Sequence, residues 1–234
     1  MAVKVSYDEN SRMILTGLDC DCGSEHHEMD RDIYVGKNLL ARVPEMIRRR
    51  GLGERCVLVA DDTTYAIAGS AVEAALLSAG FSVVRCVIHR EGEVLLSITR
   101  DIQFLISVGS GSLTDITRIN AERTGLPFVA VGTAPSMDGY TSAVAPLLHR
   151  GVKIQRPAVC PQIIVCDLDV LATAPMPMIA SGVGDVLGKY IAITDWRIGR
   201  IINGEVYCPL CGELVMNAVG ALVDNVDEIG RAHV

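Results

Sequence analysis

Aromatic side chains are scarce, with three phenylalanines and one tryptophan in 234 residues. Such a chain does not supply the stacking platforms that hold single-stranded nucleic acid. A basic excess is also missing. Lysine and arginine number 21 against 28 aspartates and glutamates, a formal charge of −7 with pI near 5.2. That balance excludes a basic face for a phosphate backbone, so nucleic acid is not an expected partner. An anionic substrate would need local donors or a metal. No apolar run is long enough for a membrane span, since Val57–Ala60, Phe104–Val108 and Ile163–Cys166 are strand-length. The opening MAVKVSYDEN lacks the apolar core of a signal peptide. Eight cysteines are too few for a disulfide scaffold. Cys56, Cys86 and Cys166 sit inside apolar strands, as reduced core thiols do. These absences point to a cytoplasmic protein. No internal repeat or low-complexity tract is found.

Half of the chain is apolar and its mean hydropathy is +0.34, which excludes disorder and suffices for one large domain or one domain and part of a second. Residues 1–31 read as polar and irregular, with a strand or two. From there strand and helix alternate. Strands are expected at Ile33–Val35, Cys56–Ala60, Phe81–Ile88, Phe104–Val108, Pro127–Val131 and Ile163–Cys166. Helices are expected at Lys37–Arg50, Thr64–Ala79, Gly92–Arg100 and Leu113–Thr124, with Gly51, Gly80 and Gly125 ending three of them. Continuous apolar strands alternating with helices signify a parallel sheet covered on both faces. LLHRGVKIQRP suggests a hairpin turning at Arg150–Gly151. After the Pro175 and Pro177 punctuation the pattern is helical, over Met178–Asp195 and Glu213–Val226. The expected architecture is α/β over residues 1–172, followed by the beginning of an all-α domain over 173–234.

Three segments carry candidate chemistry. GSGSLTD at 109–115 follows an apolar strand and opens a helix, where glycines let backbone N–H groups approach phosphate and the helix end adds partial positive charge. It is neither the usual dinucleotide fingerprint, because Thr114 stands where the last glycine belongs, nor a P-loop, because no Gly-Lys follows. The plain alternative is a tight turn with Ser112 as helix cap and Asp115 complementing the dipole. TAPSMDGYTS at 133–142 follows the next strand, so it lies at the same sheet edge. Alone it would read as a surface loop. SGVGDVLGK at 181–189 sits in an apolar helix, where three glycines cost about 2–3 kcal/mol relative to alanine. Close backbone approach to another element or a ligand would offset that. Asp185 there wants a cation, either a metal or Lys189 one turn along. Cys20-Asp-Cys22 and Cys208-Pro-Leu-Cys211 could in principle supply four thiolates to zinc, but one C-x-C and one C-x-x-C far apart match a zinc-ribbon pattern poorly, and two buried thiols at helical spacing are the plainer reading of the second pair. His26 and His27 would point to opposite sides of a strand and would not share an ion.

In this order the three segments resemble the glycerol-1-phosphate dehydrogenase family, within the group that holds glycerol dehydrogenases, iron-containing alcohol dehydrogenases and 3-dehydroquinate synthase. The resemblance runs from Ile33 to Val226. It implies a dehydroquinate synthase-like fold, with a nucleotide-binding α/β domain, a helical domain and the active site between them. The implied reaction is reduction of dihydroxyacetone phosphate to sn-glycerol 1-phosphate with NAD(H) or NADP(H), a bound Zn²⁺ or Ni²⁺ polarising the carbonyl. Carried over by motif, Gly109, Gly111, Ser112 and Asp115 would line the cofactor pyrophosphate. Thr133, Ser136 and Ser142 would contact the nicotinamide half, and Asp61 the adenosine ribose. Asp138 would hold a substrate hydroxyl, and Asp185 would ligate the metal and touch substrate. Family members complete the metal site with two histidines further along, whereas His26, His27, His89, His149 and His233 lie in no matching context. The expectation is therefore a truncated member that binds nucleotide without full catalysis, with apolar helix faces around Met178–Val226 uncovered and homo-oligomerisation by analogy. A dehydroquinate synthase-like lyase is disfavoured by the absence of cations from TAPSMDG. A non-catalytic nucleotide-binding module is the remaining alternative.

Overall fold

The computed structural model describes residues 3–23, 26, 30–89, 95–149 and 152–229. A short antiparallel pair, β1 (Lys4–Tyr7) and β2 (Met13–Thr16), precedes a six-stranded sheet. That sheet is built from β3 (Asp32–Gly36), β4 (Arg55–Ala60), β5 (Ser82–Val87), β6 (Phe104–Gly109), β7 (Phe128–Gly132) and β10 (Ile163–Asp167), all parallel. Their spatial order is β3-β10-β7-β6-β4-β5. β4 runs outward to β5, and the chain then returns to place β6 on the other side of β4. The carboxyl ends of β4 and β6 therefore flank the reversal point of the strand order, where open α/β sheets bind ligands.

The strands read as continuous apolar runs because both faces are covered. Cys56, Leu58 and Ala60 of β4 face one core with Phe104, Ile106 and Val108 of β6, against α1 (Val43–Arg50) and α3 (Ser70–Ser78). Val57, Val59 and Leu105 face the other, against Leu113 and Ala121 of α4 (Gly111–Thr124). This is the two-residue alternation of a pleated strand with an apolar partner on either side. Gly125 ends α4 with φ of 70°, as its position predicts. A two-strand hairpin, β8 (Val144–His149) with β9 (Val152–Pro157), has the predicted register, and its turn lies outside the described residues.

Several boundaries differ from expectation. Before α1 the chain forms a 3-10 turn at Leu40–Arg42, because the backbone N–H groups of Leu39 and Leu40 donate to the buried Asp167 carboxylate at the end of β10. The helix after β4 starts at α2 (Asp62–Thr64) and passes through a π turn at Tyr65–Gly69. No helix covers Leu95–Thr99. There the Leu96 N–H donates to Asn120 Oδ1 and its carbonyl accepts from Arg123, so side chains of α4 satisfy the backbone groups a helix would have used. Residues 90–94 lie outside the described set.

After α5 (Leu168–Leu171), the predicted continuous helix is two, α6 (Met176–Leu187) and α7 (Lys189–Asn203), separated at Gly188. The last, α8 (Pro209–Asp224), begins four residues before its expected start. Ile191, Ile198, Ile201 and Ile202 of α7 are exposed. Among the described residues no helix is long and apolar enough to cross a membrane.

Candidate functional site

The carboxyl end of β6 is Gly109, and Ser110 is the N-cap of α4. No side chain caps this helix and no acid stands in its first turn, so the plain alternative of a Ser112 cap is not what forms. Ser112 is exposed, and Asp115 turns to Arg118 instead. The turn is tied to the next loop from three directions. Ser110 and Ser136 hydrogen bond through their hydroxyls. The Thr133 N–H donates to the Gly109 carbonyl over 3.2 Å. The Tyr140 hydroxyl lies 2.9 Å from the Ala134 carbonyl oxygen and 3.4 Å from that of Gly109. Burial pushes the Tyr140 phenol up to about 12, which keeps it neutral and a donor.

Arg118 is 1% exposed and holds the second loop from beneath. Its guanidinium donates to Asp115 at 2.5 Å, to the carbonyls of Gly139 at 2.9 Å and Tyr140 at 3.2 Å, and to that of Val144 at 3.3 Å. Burial lowers its pKa and Asp115 opposes that shift. The sequence marked Asp115 but not Arg118, because a basic residue in a helix reads as solvent-facing until its neighbours are known.

The third segment closes on the second. Gly182 of α6 is buried against the loop, and a Cβ there would collide with the Pro135 carbonyl oxygen and lie 2.9 Å from its carbon. This is the close backbone approach that the glycines led one to expect. Only Gly182 requires it, since a Cβ on Gly184 would meet nothing within 4 Å. One turn on, Asp185 Oδ2 accepts the Asp138 N–H at 2.9 Å. Lys189 Nζ lies 2.7 Å from Asp138 Oδ2 and 3.7 Å from Asp185 Oδ1. The Asp138 N–H, foremost, holds the Asp185 carboxyl below its ordinary range, and Asp138 holds Lys189 above its own. Lys189 thus bridges two carboxylates on different elements. The expected i,i+4 pair is the longer of its two contacts.

Asp61 follows the last residue of β4, across the reversal point of the strand order from Gly109. Its Oδ1 accepts the Thr64 N–H at 2.7 Å and Thr64 Oγ1 accepts the Asp61 N–H at 3.0 Å, a capping box on α2. Thr133 is buried at the end of β7. Ser142 is engaged locally, with its hydroxyl between the carbonyl and N–H of Val144 where the hairpin begins.

The uncapped first turn of α4, with Gly111 open except for Met137 Sδ 3.6 Å from a hypothetical Cβ, fits a phosphate-bearing dinucleotide at the reversal point of the sheet. A divalent ion at Asp185 is a different matter. Among the described residues no histidine and no set of three ligand groups gathers there, and a lysine ammonium shares the carboxylate. These residues alone do not hold a metal.

Residues 34–175 match the family described as iron-containing alcohol dehydrogenase. The chain is 34% identical over 228 residues to glycerol-1-phosphate dehydrogenase (NAD(P)+) of Halalkalibacterium halodurans, covering 92% of this chain and 57% of that protein. The enzyme of the same name from Thermococcus kodakarensis is 31% identical over 210 residues, covering 86% and 59%. The chain therefore spans a little over half the length of the curated relatives it matches. Glycerol dehydrogenase from Schizosaccharomyces pombe superposes with a TM-score of 0.62 at 24% identity, over 68% of this chain and 43% of that one. An iron-containing alcohol dehydrogenase superposes at 0.60 and 16% identity, over 70% and 53%.

Proposed function

The chain belongs to the iron-containing alcohol dehydrogenase family, and from that premise we propose that it carries the dinucleotide-binding and substrate-lining part of an enzyme reducing dihydroxyacetone phosphate to sn-glycerol 1-phosphate. The observation that carries this reading is the convergence of Gly109–Gly111, Asp138 and Asp185 from three separated segments on one end of the sheet. In the proposed complex the N–H groups of the first turn of α4 hold the cofactor pyrophosphate, with Gly109, Gly111 and Ser112 lining it. Asp115 acts one step away, by fixing Arg118 and so the loop. Asp61 reaches the adenosine ribose through the carboxylate oxygen that Thr64 does not use. Thr133 and Ser136 lie beside the nicotinamide half, and Ser142 supports that loop through its turn.

Asp138 accepts a substrate hydroxyl, oriented by Lys189, and Asp185 fixes the Asp138 backbone while facing the same space. The nicotinamide, when bound, supplies the hydride. Zn²⁺ or Ni²⁺, the metals the resemblance implies, require ligands beyond this set, so no step is assigned to them.

The test is oxidation of NADH and NADPH by the chain with dihydroxyacetone phosphate, in a series of added Zn²⁺ and Ni²⁺, beside direct titration of both nucleotides. Nucleotide binding that dihydroxyacetone phosphate tightens, with little or no turnover, is the expected result, because the metal ligands are incomplete in this set. Full turnover would overturn the expectation of incomplete catalysis, nucleotide binding that the substrate leaves unchanged would reduce the reading to a binding module, and no nucleotide binding would overturn it.

A further inference from the structure

Cys20, Cys22, His26 and Cys208 come from nearly opposite ends of the described chain, yet one ligand atom from each lies within 4.8 Å of all the others. Among the described residues no other set of three or more histidine, cysteine or carboxylate side chains gathers in this way. The local sequence makes it feasible. Gly23, in the left-handed region with φ of +83°, follows the Cys-x-Cys pair, and Cys208 is the N-cap of α8.

The distances have a specific meaning. Cys20 Sγ is 3.8 Å from Cys208 Sγ, and His26 Nε2 is 3.2 Å from Cys22 Sγ and 3.4 Å from Cys208 Sγ. Tetrahedral zinc with bonds of about 2.3 Å to sulfur and about 2.0–2.1 Å to nitrogen sets its ligands about 3.8 Å apart for sulfur pairs and about 3.6 Å for sulfur and nitrogen. A disulfide would need about 2.0 Å between sulfurs, and Cys20, Cys22 and Cys208 form none. Thiols are weak donors and weak acceptors, so three of them converging on one imidazole gain little as hydrogen bonds. Around a soft divalent ion the same convergence satisfies every member. The Cys211 N–H also donates to Cys208 Sγ at 3.4 Å, the kind of backbone support that orients a thiolate ligand. Cys208 is buried and Cys211 is exposed, so the reading of two equivalent core thiols at helical spacing does not hold.

We propose that Cys20, Cys22, His26 and Cys208 bind one zinc ion through three thiolates and one imidazole nitrogen. Four protein ligands leave no open position, so the ion is structural. It joins the segment before β3 to the start of α8, beside a small cluster of Val3, Leu18, Leu210, Leu214 and Trp196. A cluster of that size is a weak fastening by itself, and the metal supplies the remainder. The site is separate from Asp185 and independent of the reaction proposed above.

The chain is equilibrated with Zn²⁺, dialysed, and titrated with an organomercurial while a metallochromic dye reads released zinc. One zinc per chain, freed as thiols are modified, is expected. Substitution with Co²⁺ should give thiolate-to-cobalt charge-transfer absorption and the intense visible bands of a tetrahedral ion. Asp185→Asn should keep that spectrum and Cys20→Ser with Cys22→Ser should lose it. Should the cysteine variant fail to fold, the cobalt spectrum of the unaltered chain decides. Absence of retained zinc, cobalt bound without a charge-transfer band, or a Cys20–Cys208 disulfide in the purified chain would each overturn the proposal. None of these readouts involves nucleotide or dihydroxyacetone phosphate.

Discussion

Gly182 of α6 sits so close to Pro135 that any Cβ at 182 would overlap the Pro135 carbonyl oxygen. The contact seats the loop that bears Asp138 on the helix that bears Asp185. Gly182→Ala should therefore destabilise the chain by about 1–3 kcal/mol, as overpacking against an immovable backbone does. Gly184→Ala, where a Cβ meets open space, should be stabilising by about 0.5–1 kcal/mol through helix propensity alone. Urea unfolding of the two variants side by side checks this, and equal effects would remove the argument for close approach.

Arg118 holds one carboxylate and three carbonyls from a position almost without solvent. Arg118→Met removes the counter-charge beside Asp115 and the guanidinium donor from the Gly139, Tyr140 and Val144 carbonyls, so a loss of about 3–5 kcal/mol is expected. Arg118→Lys should recover little, because a single ammonium cannot span the same acceptors. Denaturant midpoints measure both.

Burial, with the charge of Glu73 adding to it, pushes the Cys56 thiol from 9.0 up to about 12 in the folded chain. A group held neutral by folding stabilises fully below its unfolded value, and that stability is lost as pH rises toward the folded one. An alkaline decline should thus begin near pH 9.0, with Cys56 contributing a slope of about 1.4 kcal/mol per pH unit. Cys56→Ala removes that share of the slope. Unfolding free energies for both proteins, from about pH 8 to about pH 11, test it by difference. Parallel curves would refute it.

Lys189 orients the Asp138 carboxylate from 2.7 Å. Asp138→Asn and Lys189→Met should each weaken binding of dihydroxyacetone phosphate to the nucleotide-loaded chain by about 10-fold or more, the scale of a hydrogen bond to a charged group. Nucleotide affinity, set by the turn into α4, should stay unchanged. Substrate titrations beside NADH titrations separate the two effects. A fall in nucleotide affinity of the same size would mean the loop has collapsed.

The residues alone determined the alternation of strand and helix, the glycine at the end of α4, the two-sided burial of β4 and β6, and the three glycine-bearing polar segments that follow β6, follow β7 and interrupt the apolar helix. Each follows from local rules: a period of two or 3.6 residues, the dihedral freedom of glycine, and the helix-breaking of proline. Tertiary structure decided the rest. It placed Leu96 on the side chains of α4 instead of in its own helix, buried Arg118, moved Lys189 onto Asp138, and brought Cys208 to Cys20 across 188 residues. No local signal encodes such meetings, because two distant segments come together only when the packing of every element between them is settled.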